Sequence, residues 1–173
     1  MAIDKVITPL LRVPLFQGLQ PEQLAELARH AERVSFRAGS KITEKGSPGD
    51  GAYLIVAGEA ARVVADGSAE QIEPGSLIGE LAMLIDHTYG ATVLAQGRVN
   101  CLKILRSALY QQMEQDPHLA EHFSDILTER LKSVAEQMRQ IDKLLATYAS
   151  PEPEDDVRQI SSADVETASV PAL

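Results

Sequence analysis

Apolar positions change period twice along this chain, and each change marks a different kind of element. After Gln20-Pro21-Glu22, residues Leu24, Leu27, Ala28 and Ala31 recur at three- and four-residue steps. That spacing predicts a helix, with proline suited to its first position. At Arg33-Val34-Ser35-Phe36 the period drops to two. Short apolar runs follow at Tyr53–Val56, Ala61–Val64, Thr92–Leu94 and Cys101–Ile104, parted by turn signals at Gly39, Gly46–Gly51, Gly58, Asp66-Gly67 and Pro74-Gly75. Many short strands at such intervals predict an antiparallel sandwich or roll, here over about residues 31–105. Ahead of the first helix, Pro9–Phe16 reads as a short helical or extended apolar arm.

The helical period returns near Ser107, through Leu109, Tyr110 and Met113. A longer helix is expected from Pro117 to Thr147, with Asp116 as its cap. Leu119, Phe123 and Ile126 can pack back on the sheets. Leu127, Leu131, Val134, Met138, Ile141 and Leu145 then alternate in steps of four and three, flanked by Lys132, Glu136, Arg139 and Asp142. A seam this narrow suits a partner helix better than a broad sheet face. Homodimerisation through residues 119–145 is the expectation, with packing inside one chain and a different protein partner as the alternatives. Residues 1–148 therefore read as one domain, with C-terminal helices over about 106–147. Residues 149–173 read as an acidic disordered tail, solubilising or docking, rich in Pro, Ser, Ala and acids.

Composition narrows the function classes. A chain of 173 residues without Trp leaves its core to Leu, Ile, Val and Ala. The formal net charge is -9, and residues 150–173 hold six acids against the single base Arg158. An acidic body without a basic stripe argues against DNA as a partner. No run approaches a membrane span and no leader pattern opens the chain, so a soluble cytoplasmic protein is expected and no membrane partner. The single Cys101 sits in an alternating run and reads as a buried strand residue.

Catalytic chemistry finds no support. His30, His87, His118 and His122 are scattered. His118 and His122, four apart, could hold a metal on one helix face, but they read more simply as solvated neighbours of Glu121 and Asp125. Ser47 and Ser76 lie in turns without a base and an orienting acid. Gly46–Gly51 is not followed by Gly-Lys-Ser/Thr, which excludes a mononucleotide loop. Neither a catalytic residue nor a metal ligand is assigned, and the protein is read as not an enzyme.

Several segments carry a resemblance in the correct order. They are Pro14–Leu19 with Leu24, Leu27 and Ala28; Phe36–Ile42; Glu44-Lys45-Gly46; Gly49-Asp50; Tyr53–Ala60; and Pro74–Ala82. Gly79-Glu80-Leu81-Ala82-Met83-Leu84 and then Tyr89-Gly90-Ala91-Thr92-Val93 complete the set. Together, over about residues 10–145, they resemble the cyclic-nucleotide-binding domain family, of the catabolite-activator-like sensor type. The resemblance implies a mainly β fold: a double-stranded β-helix, or jelly-roll-like β-roll of eight strands, with flanking helices and a long C-terminal helix.

The resemblance also implies a phosphate-binding cassette, with Gly79, Glu80, Leu81, Ala82, Tyr89 and Gly90 as candidate binding residues. Gly79 would allow close backbone approach, and the N–H groups of Leu81-Ala82-Met83 would face an anion. Glu80 would accept from a ribose hydroxyl, or cap a backbone turn. Where the family has an arginine for the cyclic phosphate, this chain has Tyr89. Losing that charge-assisted contact costs at least about 2–5 kcal/mol, some 30- to several-thousand-fold in affinity. His87, Arg98 and Arg106 are the nearby substitutes. A helix-turn-helix module and a tandem second sensor domain are not visible. The expected function is a stand-alone regulatory or interaction module on a degenerate sensor fold, with an unknown regulatory protein partner and no tightly bound cyclic AMP or cyclic GMP. The alternative is a receptor for a cyclic nucleotide or related ligand with another clamp, signalling through its last helix. No cofactor is assigned beyond that nucleotide.

Overall fold

A computed structural model describes residues 4–64 and 67–149; the acidic tail expected at 149–173 lies, beyond its first residue, outside them. Residues up to Arg130 form one compact unit, and those from Leu131 belong to a second.

The first unit opens with α1 (Asp4–Leu11), a 3₁₀ turn (Pro14–Phe16) and α2 (Pro21–His30). The expected arm is thus helical, and it buries Leu10, Val13, Leu15 and Phe16. At the start of α2, the Gln20 N–H donates to Gln23 Oε1 at 2.9 Å, meeting a backbone donor that the helix itself leaves open.

Ten strands follow among the described residues: β1 (Glu32–Phe36), β2 (Lys41–Thr43), β3 (Pro48–Gly49), β4 (Gly51–Ala57), β5 (Ala60–Val63), β6 (Ala69–Ile72), β7 (Leu77–Ile78), β8 (His87–Thr88), β9 (Val93–Ala95) and β10 (Val99–Leu105). The helix α3 (Glu80–Leu84) interrupts them after β7. Eight strands form two antiparallel four-stranded sheets, ordered β1-β10-β4-β7 and β2-β9-β5-β6. The remaining two, β3 and β8, make a separate ribbon.

Strand β10 shows why the alternation matters. Val99 and Cys101 point into a core with Ile42, Ile55, Ala60, Ile72 and Val93, which come from both sheets. Leu102 and Ile104 point the other way, onto Leu10, Phe16, Leu24, Leu27 and Met83. One sheet is therefore covered on both faces, with the second sheet on one side and the helices on the other.

α4 (Arg106–Gln115) and α5 (Pro117–Ala149) close the described chain. The Asp116 carboxylate caps α5, accepting from His118 N at 3.0 Å and Leu119 N at 3.3 Å. Leu119 and Phe123 are buried, and the Phe123 ring meets Phe16 edge-on at 6.3 Å. Leu127, placed in the seam by its spacing, instead packs on this helical core with Ile126. His122, expected to be solvated, bonds through Nε2 to the Leu15 carbonyl at 2.9 Å.

In the second unit, Leu131, Val134, Met138, Ile141 and Leu145 are all more than half exposed. No helix among the described residues is long and apolar enough to cross a membrane.

Candidate functional site

The turn from β7 into α3 begins at Gly79, whose φ of +78° is left-handed backbone that favours glycine. A Cβ there would lie 2.6 Å from Tyr89 Cε1. A Cβ on Gly49, in β3, would lie 2.3 Å from the Ala82 Cβ and 3.4 Å from the same Tyr89 atom. Gly79 thus makes room for the aromatic ring, and Gly49 for Ala82.

Tyr89 is turned into the fold and only 8% exposed. Its hydroxyl proton is shared between the Gly51 carbonyl at 3.0 Å and Asp50 Oδ1 at 3.3 Å. Its backbone is pinned as well: Gly46 N donates to the Tyr89 carbonyl at 2.8 Å, and Tyr89 N donates to the Ser47 carbonyl at 2.9 Å. Burial, with Tyr53 and Asp50 nearby, raises the phenol well above its ordinary range, so it stays neutral.

Asp50 also accepts from Lys103 Nζ at 2.6 Å, and Lys103 lies over the Tyr53 ring at 5.5 Å. Burial pushes the Asp50 carboxyl up, but the Lys103 hydrogen bond and charge outweigh it, leaving the group below its ordinary value. A depressed carboxyl contributes stability above its unfolded pKa and loses it as pH falls through the folded value. Replacing Asp50 by Asn should therefore flatten the stability profile below about pH 4. Urea midpoints at stepped pH check this; an unchanged acid limb would remove Asp50 from the account.

Above this floor lies a cavity of about 470 Å³. Gly79, Glu80, Leu81 and Ala82 line one side, and Tyr89, Gly90 and Ala91 another. All six candidate binding residues therefore border one space. His87 also lines it, but is exposed. Arg98 does not contribute, and Arg106 bonds elsewhere, to the Gly49, Ala82 and Ile85 carbonyls.

Two arginines that sequence spacing did not single out do line the cavity, Arg62 and Arg130. Arg62 pairs with Glu70 at 2.9 Å, its register partner across the β5–β6 hairpin. Arg130 of α5 pairs with Glu80. Glu80 therefore does not stand as an unpaired negative charge. The available signal was helical phase: Arg130 falls three and four residues after the inward-packed Leu127 and Ile126, on the same side of the helix. Among the described residues no cluster of His, Cys, Asp and Glu could hold a metal.

Residues 33–116 match the family model of the cyclic nucleotide-binding domain. A cyclic nucleotide-binding-like protein from Brucella abortus superposes with a TM-score of 0.58 at 32% identity, over 64% of this chain and 99% of that one. A cAMP-dependent protein kinase regulatory subunit from Aspergillus fumigatus is 36% identical over 99 residues, which is 56% of this chain and 24% of the relative. A cyclic nucleotide-gated potassium channel from Mesorhizobium japonicum is 35% identical over 124 residues, 71% of this chain and 34% of the relative. The chain thus spans about a quarter to a third of these two curated relatives. The antiparallel sheets and the long last helix agree with these matches, and the chain belongs to the non-catalytic, regulatory cyclic nucleotide-binding domain family.

Proposed function

We propose that this domain is a regulatory interaction module whose cassette does not grip cyclic AMP or cyclic GMP tightly. The observation that carries the reading is the orientation of Tyr89. Its ring fills the floor beneath Gly79 and its hydroxyl is spent on Gly51 and Asp50, so position 89 offers the cavity no cation. Glu80, the carboxylate that a ribose would need, already holds Arg130. The paired four-stranded sheets support reading the strands as a double-stranded β-helix. Cys101 is buried, and burial raises its thiol to about 11, which keeps it protonated and suits a reducing, cytoplasmic setting. The exposed apolar row on α5 supports self-association.

A second reading has its own observation. Arg62 and Arg130 both border the cavity and could clamp an anionic ligand in place of an arginine at 89. Calorimetric titration with cyclic AMP and cyclic GMP separates the two. The module predicts no saturable heat below about millimolar ligand, consistent with the loss of a charge-assisted contact. Micromolar binding that disappears in both Arg62→Gln and Arg130→Gln would replace it with the receptor.

A further inference from the structure

Strand β1 lies at an open edge. The sheet order β1-β10-β4-β7 leaves it one neighbour, and residues 32–36 pair with β10 alone. Among the described residues no turn or loop backbone bonds to its other side. Arg33, Ser35 and Arg37 alternate along this segment, so they project from one face, and all three are exposed. Val34 and Phe36 project from the other face, where Phe36 packs on the core between the sheets. Ser35 Oγ donates to Asn100 Oδ1 at 2.7 Å. The ladder with β10 ends at the pair Phe36–Val99, which brings Arg37 and the exposed Arg98 to the same end of it. Arg33, Arg37 and Arg98 have no side-chain partner among the described residues. Arg29, Arg62, Arg106 and Arg130, by contrast, each hold a carboxylate.

We infer that the free edge of β1 is a docking site for an extended acidic segment of a partner protein, added as a further strand with its carboxylates facing Arg33 and Arg37. The main-chain groups of the edge supply hydrogen bonds that any strand can use, and the arginines select which strand does so. Arg33 and Arg37 stand about 13 Å apart along an extended chain. Acids at every second residue of a peptide share one face and match that span, whereas contiguous acids point to alternate faces. Charge on an edge also discourages uncharged strands. A second copy fits poorly, because two β1 strands paired antiparallel about Ser35 set Arg33 against Arg37 of the copy. A nucleic acid lacks the main-chain ladder and is repelled by a chain of net charge -9. None of the three arginines lines the cassette cavity, so the inference goes beyond the cassette reading and does not depend on it.

The test is fluorescence anisotropy on the full chain, without nucleotide. The probe is a labelled peptide of glutamates alternating with threonines, and the control has the same composition with its glutamates contiguous. The alternating peptide is expected to saturate and the contiguous one to bind more weakly. Arg33→Gln with Arg37→Gln should weaken the alternating peptide about fivefold or more, the sum of two exposed ion pairs. Arg12→Gln should leave it within about twofold, since Arg12 lies beside Gly75, just ahead of β7 at the far edge of the sheet. Methylating the peptide's backbone nitrogens, at the glutamates or at the threonines, removes donors from one of its two sides. In the unaltered protein one methylated form should fail to bind and the other should bind. Several results would each overturn the proposal: no saturation below about millimolar peptide, equal binding of the contiguous control, equal binding by the double arginine variant, or both methylated forms behaving alike. So would tighter binding of an oligothymidylate of equal charge. Binding that appears only once residues 150–173 are removed would give the edge to the chain's own acids, and self-association lost on adding the peptide would give it to a second copy; either defeats the assignment to a partner protein.

Discussion

Replacing Tyr89 with alanine is expected to destabilise the first unit by about 3–5 kcal/mol, the range for removing a buried aromatic ring from a filled site. Nothing adjacent can close the gap cheaply. Gly79 and Gly49, which face the ring, carry no side chains to relax into it, and the backbone around 89 is fixed by bonds to Gly46 and Ser47. Tyr89→Phe keeps the ring and gives up one shared hydroxyl proton, so it should cost only about 1 kcal/mol. Equilibrium denaturation of the two variants measures the difference directly. Equal losses in both would show that the hydroxyl, and not the ring, supports the cassette floor.

The second large effect concerns association. Leu131, Met138 and Leu145 repeat at seven-residue steps, as do Val134 and Ile141, and all five are exposed. If the row pairs with its copy, Leu131→Glu with Met138→Glu places four carboxylates in one dimer seam. Unpaired buried charge costs several kcal/mol per site, enough to abolish pairing at micromolar protein. Sedimentation should then give half the parental mass, with an undiminished strand signal in circular dichroism. An unaltered mass would rule out this seam as the contact.

How far the chain could be read in advance depended on the range of the interaction. Local spacing was enough for the Pro21 helix, the switch to alternation at Arg33 and the cap at Asp116. Each of these is decided by residues a few positions apart. The β3–β8 ribbon, two residues per strand, is too short to carry a period at all. Leu127 fits the apolar seam by spacing, yet it is claimed by the helical core one turn before the exposed row begins. The candidate site was legible as a list of residues bordering one cavity and not as a direction. A tyrosine at 89 can face the cavity or the floor, and the bare backbone of Gly79 leaves space for the second. The Glu80–Arg130 pair joins residues 50 apart in sequence, and only tertiary packing brings them together.

The ring packed under Gly79 makes positions 79 and 89 depend on each other. An arginine at 89 turned outward would leave a hollow under Gly79, and a side chain at 79 would collide with Tyr89 while the tyrosine remained. A single replacement of Tyr89 by arginine is therefore expected to lower the stability of the first unit unless a second change refills the ring's place.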